Sequence, residues 1–521
     1  MTLEVGLYLL ALLVGMILRL LLIDARPLSV EEGALASESY RIWQGQSPES
    51  LHQGPMTAFG TALALALFAG GDGAARLVSA LFGALLVGAP FLLRNSLGRA
   101  AALVATWGLA VSPLLLFASR DVGSGIVPLS LGLLLWVLVT GGTKAMTAIR
   151  GYALAVVLAA LVACGAEGFS VLVTLGLAAI LSHPRPRLLL SDLRVFLGTP
   201  LSRRMAFVFA AAALAIGTGL GTNLRGVQWM LVDSWTAWLS GFSLSSPRST
   251  LIWILLAYEL PVVVLAIVQL LRTLPRRERI DLFLSLWAML LLLTCMLQTG
   301  GLAPRVVMPL LPIYLLASRL VGTSSSVAAQ AGRGWRWNYA VLAVIVPIAV
   351  GIILTNRGTT QGLEMPSVFL YGEAAALTAS AVAIVLLLSG KERAALGWYT
   401  VVVLSVVFVV HNSVTTNFVT PSVGMEPVMG AQPTLALRSA ARDASYYARF
   451  YKTPVTVDTQ LKSPLEWYLR DAQDVRYGTE QGEGISILLF RTPGPEPKSE
   501  AERRTGIVTP AIDLANVTWQ G

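Results

Sequence analysis

The sequence has little charge, little histidine and almost no cysteine. Asp, Glu, Lys and Arg make up 13% of its 521 residues, about half of the share found in soluble domains. The three histidines, His52, His183 and His411, are scattered along the chain, which excludes a zinc motif of closely spaced ligands. The two cysteines, Cys164 and Cys295, both lie in apolar runs, which indicates buried thiols rather than a disulfide framework.

The abundance of apolar residues indicates a membrane protein. Hydrophobic residues account for 55% of the chain, and its mean hydropathy is +0.69. Runs of roughly 14–20 apolar residues recur along it, close to the length of a helix that crosses a bilayer. We therefore predict an all-α, multi-pass protein of the plasma (inner) membrane.

The net charge of +9 does not call for nucleic acid as a partner. Cytoplasmic loops of membrane proteins carry an excess of Lys and Arg, which explains the charge, so we expect no nucleic-acid partner. Basic residues cluster in segments 94–99, 144–150, 185–204, 272–279, 319–336 and 391–393.

Placing those basic segments in the cytoplasm predicts about thirteen crossings, with the N-terminus cytoplasmic and the C-terminus outside. The predicted crossings are residues 5–23, 76–93, 100–117, 127–140, 151–164, 168–181, 205–220, 250–271, 281–298, 306–320, 339–354, 374–390 and 398–411.

One apolar stretch, residues 56–69, is predicted not to cross. Its 14 residues fall short of the roughly 20 that a crossing helix needs, and a crossing here would break the alternation of the basic loops. We place it as a juxtamembrane or re-entrant helix in a large first outer loop, residues 24–75. The first apolar run, residues 5–23, lacks a basic start and a cleavage site, so we expect a retained helix and not a signal peptide.

The composition changes after residue 411, where Asp, Glu, Lys, Tyr and Pro become as frequent as in soluble proteins. We therefore divide the chain into a transmembrane part, residues 1–411, and a small extracytoplasmic α/β domain with its tail, residues 412–521.

Within the C-terminal domain we predict a helix over residues 439–451, with Ser439 as its N-cap. Short strands are predicted over residues 455–457 and 485–490. From about residue 492 the chain is rich in proline and charge, which predicts an extended tail.

An acidic pair, Glu31-Glu32, follows the first predicted crossing. A carboxylate at the point where a membrane helix surfaces is well placed to take a proton from a substrate. The alternative is that the pair only caps the next helix, because Ser29 and two acidic residues are typical of a first helical turn. Arg41 and His52 lie in the same outer loop and are candidate substrate-binding residues.

Two arginines lie at later outer helix ends. Arg120 ends the third predicted crossing, and Arg305 stands at the start of the tenth. A guanidinium group there has the geometry to hold a phosphate. The alternative is an interfacial arginine whose side chain extends to the headgroups.

Aromatic residues fill the long outer loop of residues 222–250. We select Trp229, Asp233 and Trp235 as candidate substrate-binding residues, because aromatic rings can stack on sugars; the alternative is an aromatic belt at the headgroup level. Two acids, Glu167 and Glu259, lie within apolar runs and are either functional or paired at helix contacts.

Several short segments together resemble the membrane-embedded C-type glycosyltransferases. The nearest large set is the group of protein mannosyltransferases and aminoarabinose transferases (glycosyltransferase family 39), and later segments are more similar to flippase activity-associated proteins. The segments that carry the resemblance are residues 27–44, 52–55, 71–83, 112–113, 119–120, 221–238, 258–261 and 464–471.

The resemblance implies a C-type glycosyltransferase fold and a donor that is a sugar on a polyprenyl phosphate or diphosphate. It implies that a carboxylate of the first outer loop deprotonates the acceptor while arginines hold the lipid phosphate. Glu31 falls on the position of the base, Glu32 completes the acidic pair, and Arg120 and Arg305 fall on phosphate-binding positions. The acceptor would be a lipid, a glycan or a protein on the outer face.

The chain departs from the family pattern at two places. In the family an acid usually lies a few residues after the Ser-Arg of the second outer loop. This chain has Gly125 or Ser124 at that position, and Asp121 lies too close to Arg120 to be an obvious replacement. Gln53 interrupts the His-Gly-Pro signature. A non-catalytic scaffold or flippase-associated subunit of a larger complex is therefore the alternative function.

Other partners and cofactors are less defined by the sequence. A secondary transporter is a third class, which the lack of an obvious internal repeat disfavours. The sequence requires no cofactor, and we assign no residue as a metal ligand. Whether the reaction uses a divalent cation is left open. Membrane lipid and other membrane subunits are the further expected partners.

Overall fold

The computed structural model describes most of the chain. The residues described are 2–46, 51, 53–68, 70–123, 125–140, 146–243, 250–273, 278–299, 303–330, 391–419, 435–457, 465–472, 474–478 and 485–487. Two predicted crossings, residues 339–354 and 374–390, and the predicted tail lie outside them.

Helices dominate the described part of the chain. The α-helices are α1 Leu3–Leu20, α2 Val30–Trp43, α3 Pro55–Leu67, α4 Asp72–Gly88, α5 Arg94–Leu97, α6 Arg99–Val111, α7 Pro113–Ser119, α8 Ile126–Val139, α9 Ala148–Val162, α10 Ala166–Ser182, α11 Pro186–Leu197, α12 Pro200–Gly217, α13 Arg225–Gln228, α14 Ser234–Ser240, α15 Thr250–Thr273, α16 Arg279–Leu297, α17 Ala303–Val307, α18 Leu310–Gln330, α19 Lys391–Val414 and α20 Leu435–Tyr451. The strands are β1 Val455–Val457, β2 Val475–Tyr477 and β3 Ile485–Ile487.

Seven of the described helices are long and apolar enough to cross a membrane, or eight if the bent pair α6 and α7 is one span. Helices α3, α8, α9 and α10 are shorter and also apolar. The multi-pass, mostly helical architecture agrees with the prediction, while the number thirteen stays a prediction.

Described residues of three basic segments, 94–99, 272–279 and 319–336, meet at one end of the helix bundle, which we call the basic end. There Arg319 pairs with Glu278 and Asp281 and donates a hydrogen bond to the carbonyl of Leu97. Arg99 lies 4.0 Å from Glu4 of α1. The opposite end, which we call the loop end, gathers the first outer loop and the segments that follow α7, α9 and α16.

The third predicted crossing is bent rather than straight. Helices α6 and α7 meet at an angle of 60°, because Pro113 has no N–H to continue the helix. Ser112 caps α7 through its side chain, and Glu259 accepts hydrogen bonds from the Ser112 hydroxyl (2.6 Å) and the Leu114 N–H (3.3 Å). Tyr314 donates a further bond of 2.6 Å to Glu259. Glu259 is therefore a paired residue at a helix contact, one of its two predicted roles.

The helix predicted over residues 56–69 is confirmed as α3. Its first turn lies on the turn after α9, where Met56 donates a backbone hydrogen bond of 2.9 Å to the carbonyl of Ala163. Just beyond its other end, the Gly70 carbonyl accepts a bond of 2.5 Å from Arg470. Both ends of α3 therefore lie at the loop end, as expected of a helix that does not cross.

After α19 the described chain contains α20 and a parallel sheet of order β2-β1-β3. The prediction of β1 is confirmed, and β3 covers the first part of the predicted second strand; β2 was missed. The helix begins at Leu435, so the prediction of Ser439 as its N-cap is wrong. Leu437 and Ala440 already belong to its buried face, which continues through Ala441 and Ala444.

Two predicted loops contain helices. The arginine-rich segment 185–204 includes α11, and the outer loop 222–250 includes α13 and α14, joined by a π-helical turn, Trp229–Asp233. These helices are short or amphipathic and form no long apolar run, so composition alone predicts loops here.

Candidate functional site

A buried ion cluster forms where the first outer loop meets α4. Ser29 is the N-cap of α2 and accepts a hydrogen bond of 3.1 Å from the Glu32 N–H, while the Ser29 N–H donates one of 2.9 Å to the Glu32 carboxylate. Arg76 of α4 binds the same carboxylate at both oxygens, at 2.7 and 2.9 Å. Glu32 and Arg76 are 2% and 1% exposed, so this charge pair is removed from water.

Arg76 also fixes the chain between α1 and α2. Its guanidinium group donates to the carbonyls of Ile23 (3.0 Å), Arg26 (2.7 Å) and Pro27 (3.1 Å). Arg26 lies 3.4 Å from Glu32. Burial alone would raise the pKa of Glu32, but the two arginines outweigh it and hold that pKa well below its ordinary value. Glu32 is therefore ionised at neutral pH.

Asp121 joins the cluster from the segment after α7. It is 6% exposed, hydrogen-bonds Glu32 and lies 3.8 Å from Arg26. Burial raises the pKa of Asp121, and the negative charge of Glu32 raises it further. Its carboxyl group therefore holds its proton to a higher pH than a free aspartate does. Even with Asp121 ionised, the arginines Arg26, Arg76 and Arg120 outnumber the two acids.

Arg120 adjoins this cluster with part of its guanidinium group unused. Its Nη2 donates a bond of 2.8 Å to the carbonyl of Leu22, and its guanidinium lies 4.5 Å from the ring centre of Phe418. The residue is 7% exposed, and Nη1 has no hydrogen-bond partner among the described residues. Burial, together with Arg26 and Arg76, lowers the pKa of Arg120 to about 10, so it is charged at neutral pH.

Glu31 lies beside the cluster but faces outward. It is exposed at the first turn of α2 and forms no hydrogen bond or ion pair with any residue that the structure describes. The N–H of Val122, two residues after Arg120, donates to the neighbouring Glu32 at 3.3 Å. Glu31 and Arg120 therefore lie on segments that touch. The capping role predicted for the acidic pair is taken by Glu32 alone.

Arg305 lies on another element of the loop end. It donates a hydrogen bond of 2.7 Å to the Gln298 carbonyl and another to the Thr299 carbonyl. Its helix, α17, packs against α7, the helix that carries Arg120 at its end. The structure thus places the two predicted phosphate-binding arginines around the same bent helix.

The predicted aromatic residues form a separate cluster. Trp235 stacks on Trp238 at 5.2 Å and meets the edge of Phe169 at 5.2 Å, while Trp229 is buried. Asp233 is half-buried in the π-helical turn. These residues pack with α10, and no described contact joins them to Glu31.

Arg41 lies farther along α2, where it forms an ion pair of 2.7 Å with Glu466. It borders a groove between α2 and the segment before β2. His52 lies outside the described residues. Both residues stay candidate substrate-binding residues.

Three charged residues of the loop end were not assigned a role from the sequence. Arg26 and Arg76 hold Glu32, and Asp72 anchors the C-terminal segment by accepting hydrogen bonds from Trp467 at 2.9 Å and Arg442 at 3.1 Å. Arg76 offered a signal, since an arginine in the second turn of an apolar helix needs a partner.

The described acids do not form a metal site. No group of three or more His, Cys, Asp or Glu side chains within the described ranges is arranged to hold an ion. Glu32 and Asp121, the two clustered acids, are held by arginine or by each other.

Comparison with known proteins identifies the fold. The chain resembles the structure of ArnT from Cupriavidus metallidurans in the apo state, with a TM-score of 0.54 and 17% identity over 92% of this chain and 87% of that chain. For ArnT bound to undecaprenyl phosphate, the TM-score is 0.53, with 16% identity over 90% of this chain and 86% of that chain. The archaeal oligosaccharyltransferase AglB from Archaeoglobus fulgidus has a TM-score of 0.48, with 11% identity over 89% of this chain and 63% of that chain.

Sequence comparison adds no relative. No family model matches the chain, and no curated protein matches it. The structural likeness confirms the predicted resemblance to the C-type membrane glycosyltransferases at the level of the fold.

Proposed function

We propose that this protein is a membrane-embedded glycosyltransferase that moves a sugar from a polyprenyl-phosphate donor to an acceptor on the outer face of the membrane. One observation carries the proposal: Glu31, an exposed carboxylate with no partner among the described residues, lies next to a buried cluster in which arginines outnumber acids. In that cluster Nη1 of Arg120 has no hydrogen-bond partner within the described ranges. An anionic lipid phosphate matches that charge. The fold is shared with a protein crystallised with undecaprenyl phosphate.

In the proposed reaction Glu31 is the catalytic base. It takes the proton of an acceptor hydroxyl as the hydroxyl oxygen attacks the anomeric carbon of the sugar. The bond between that carbon and the phosphate oxygen breaks, and the electron pair leaves with the polyprenyl phosphate. Phosphate is a good leaving group, so positioning and charge stabilisation are the main tasks of the protein.

The arginines stabilise the departing phosphate. In this proposal Arg120 binds it through Nη1, and Arg305 contributes from α17, which packs against α7. Glu32 is a positioning residue: it holds Arg76 and Arg26, which fix the turn between α1 and α2 and thereby place Glu31. We place the loop end and the C-terminal α/β segment outside the cytoplasm, since the basic loops gather at the other end.

The direct test supplies purified protein in liposomes with radiolabelled sugars on undecaprenyl phosphate and a membrane extract as acceptor. The proposal predicts transfer of label together with release of undecaprenyl phosphate. Arg120→Gln should lower the rate at saturating acceptor by about 10²–10³-fold, the usual cost of removing one charge-stabilising donor. Full turnover by Arg120→Gln would contradict the assignment of the phosphate site.

A non-catalytic subunit is the second candidate, because Gly125 stands where relatives carry an acid. Gly125 has a φ of +73° at the start of α8, a conformation that suits glycine and strains an acidic residue. This candidate predicts that the wild-type protein binds other membrane subunits and releases no lipid phosphate in the same assay.

A further inference from the structure

A groove of 440 Å³ lies between α2 and the segment that leads into β2. Its size falls in the range of small-molecule sites, about 300–1,000 Å³. Three polar residues of α2, Ser37, Tyr40 and Arg41, line one wall together with Gln44, which follows the helix. The opposite wall comes from residues 466–477, so the groove exists only where the C-terminal segment packs on the first outer loop.

Two buried polar atoms in the groove walls have no partner in the described structure. The hydroxyl group of Ser37 is one, and Ser37 is 7% exposed. The Nε of Arg470 is the other; this side chain is held by its Nη atoms at the carbonyls of Trp467 and Gly70. A buried polar atom without a partner costs free energy, so a ligand with hydroxyl groups would relieve both.

The charges that line the groove cancel one another. Arg41 pairs with Glu466 at 2.7 Å, and Asp471 accepts a hydrogen bond of 2.6 Å from Tyr40. Together with Arg470, the described residues of the lining therefore include two positive and two negative side chains. A phosphate or an acidic chain would find no excess of charge to bind. A neutral ligand that both donates and accepts hydrogen bonds fits the lining.

The aromatic residues favour sugar rings. Tyr40 forms one part of the wall, and Tyr477, at the end of β2, is 37% exposed at its border. Tyrosine presents an apolar face beside a polar tip, which suits the mixed surface of a pyranose ring. An extended peptide paired along the edge strand β2 is the other arrangement, and the test below separates the two.

The groove faces away from Glu31. One residue of an α-helix turns by about 100°, so Ser37, Tyr40 and Arg41 share one side of α2 and Glu31 lies on the other. Along the axis, Glu31 and Tyr40 are about 14 Å apart. The groove is therefore a second site and does not depend on the reaction proposed for Glu31.

We propose that this groove binds a neutral, hydroxyl-rich glycan chain. Binding would hold the α2 wall and the C-terminal wall together, since the ligand contacts both. It needs no turnover, so the protein would bind the glycan even if the proposed transferase activity were absent.

The test applies the full-length, detergent-purified protein to an array of neutral and acidic oligosaccharides and extended peptides. We expect retention on neutral oligosaccharides only, with affinity then measured on the strongest hexasaccharide. The same glycan, free or attached to undecaprenyl diphosphate in nanodiscs, shows whether a soluble or a lipid-linked chain is preferred.

Variants locate the binding. Tyr477→Ala, at the end of β2, should weaken binding at least tenfold. The control is Tyr447→Ala, which removes an exposed tyrosine of α20 outside the groove and should not change binding. Ser37→Ala should weaken binding about threefold to tenfold, the value of one hydrogen bond, yet leave the thermal stability of the free protein equal or higher. Glu31→Gln should bind as the wild type does.

Three results would overturn the proposal. They are the absence of any neutral glycan signal, preference for acidic glycans or peptides, and equal binding by Tyr477→Ala and Tyr447→Ala.

Discussion

Glu31 and Glu32 are neighbours in sequence and have opposite environments. Successive residues of a helix point about 100° apart, so only one of the two can face the arginines of the cluster. Glu32 accepts bonds from Arg76 and from the N-cap, and Glu31 faces solvent. The stabilising role and the proposed catalytic role therefore fall on different side chains.

That difference predicts opposite effects of two similar substitutions. Glu32→Gln should lower the free energy of unfolding by about 3–5 kcal/mol, because it leaves Arg76 and Arg26 buried without their counter-charge. Glu31→Gln should leave stability within about 0.5 kcal/mol. Thermal and denaturant unfolding of the purified variants would measure both, and equal stability of the two variants would refute the separation of roles.

Asp121 predicts a dependence of stability on pH. Burial and Glu32 raise its pKa in the folded state, so its contribution to stability is complete below its ordinary pKa, about 3.9, and is lost as the pH rises toward the folded value. Asp121→Asn keeps the neutral form at every pH. The melting temperature of Asp121→Asn minus that of the wild type should therefore become more positive as the pH rises from 4.5 to 8. If the two plots of melting temperature against pH ran parallel over this range, Asp121 would be ionised throughout it.

At the scale of elements, the first outer loop is fixed by close backbone contact. A Cβ atom on Gly54 would lie 2.2 Å from the Cys164 carbonyl carbon and 2.4 Å from the Ala163 oxygen. Only glycine lets the start of α3 approach the turn after α9 this closely. The loop that carries Glu31 is thereby held against the rest of the loop end.

Gly54→Ala should accordingly lower the free energy of unfolding by about 1–3 kcal/mol, the usual cost of overpacking. Gly71→Ala is the matched control, since Gly71 precedes α4 in the same outer loop and a Cβ there meets nothing within 4 Å. Unfolding curves of the two variants provide the measurement. Equal stability would contradict the close contact.

The sequence predicted the elements better than their partners. The apolar runs place most described helices within a few residues, and Ser29 with the acidic pair indicated the start of α2. The partner of Glu32 is Arg76, 44 residues away, and no local pattern shows such a contact. The bend at Pro113 was missed because the apolar run continues through it.

At the scale of the whole molecule, charge separates the two ends of the bundle. The basic loops predict the orientation, and described residues of three of them contact one another at the basic end. The C-terminal segment packs on the loop end through Asp72, so the groove and the ion cluster share that end. The separation of the two ends could be predicted from loop charge, whereas the packing of the C-terminal segment depends on contacts 370–396 residues apart in sequence.

Orientation predicts the labelling of single cysteines. The native Cys164 and Cys295 are buried and should not react. Asp443→Cys on α20 should react with a membrane-impermeant maleimide in intact cells, whereas Arg99→Cys at the basic end should react only after permeabilisation. The reverse pattern would invert the proposed topology.

The central claim is that Glu31 removes the proton of the acceptor. The most direct measurement is the rate of undecaprenyl phosphate release by wild-type protein, Glu31→Gln and Glu31→Asp in liposomes with saturating donor and acceptor. We expect the glutamine variant to lose about 10²–10⁴-fold in rate, and the aspartate variant to recover part of it, with donor binding unchanged in both. Glu31→Gln turning over at the wild-type rate, or a wild-type protein that releases no lipid phosphate, would contradict the account.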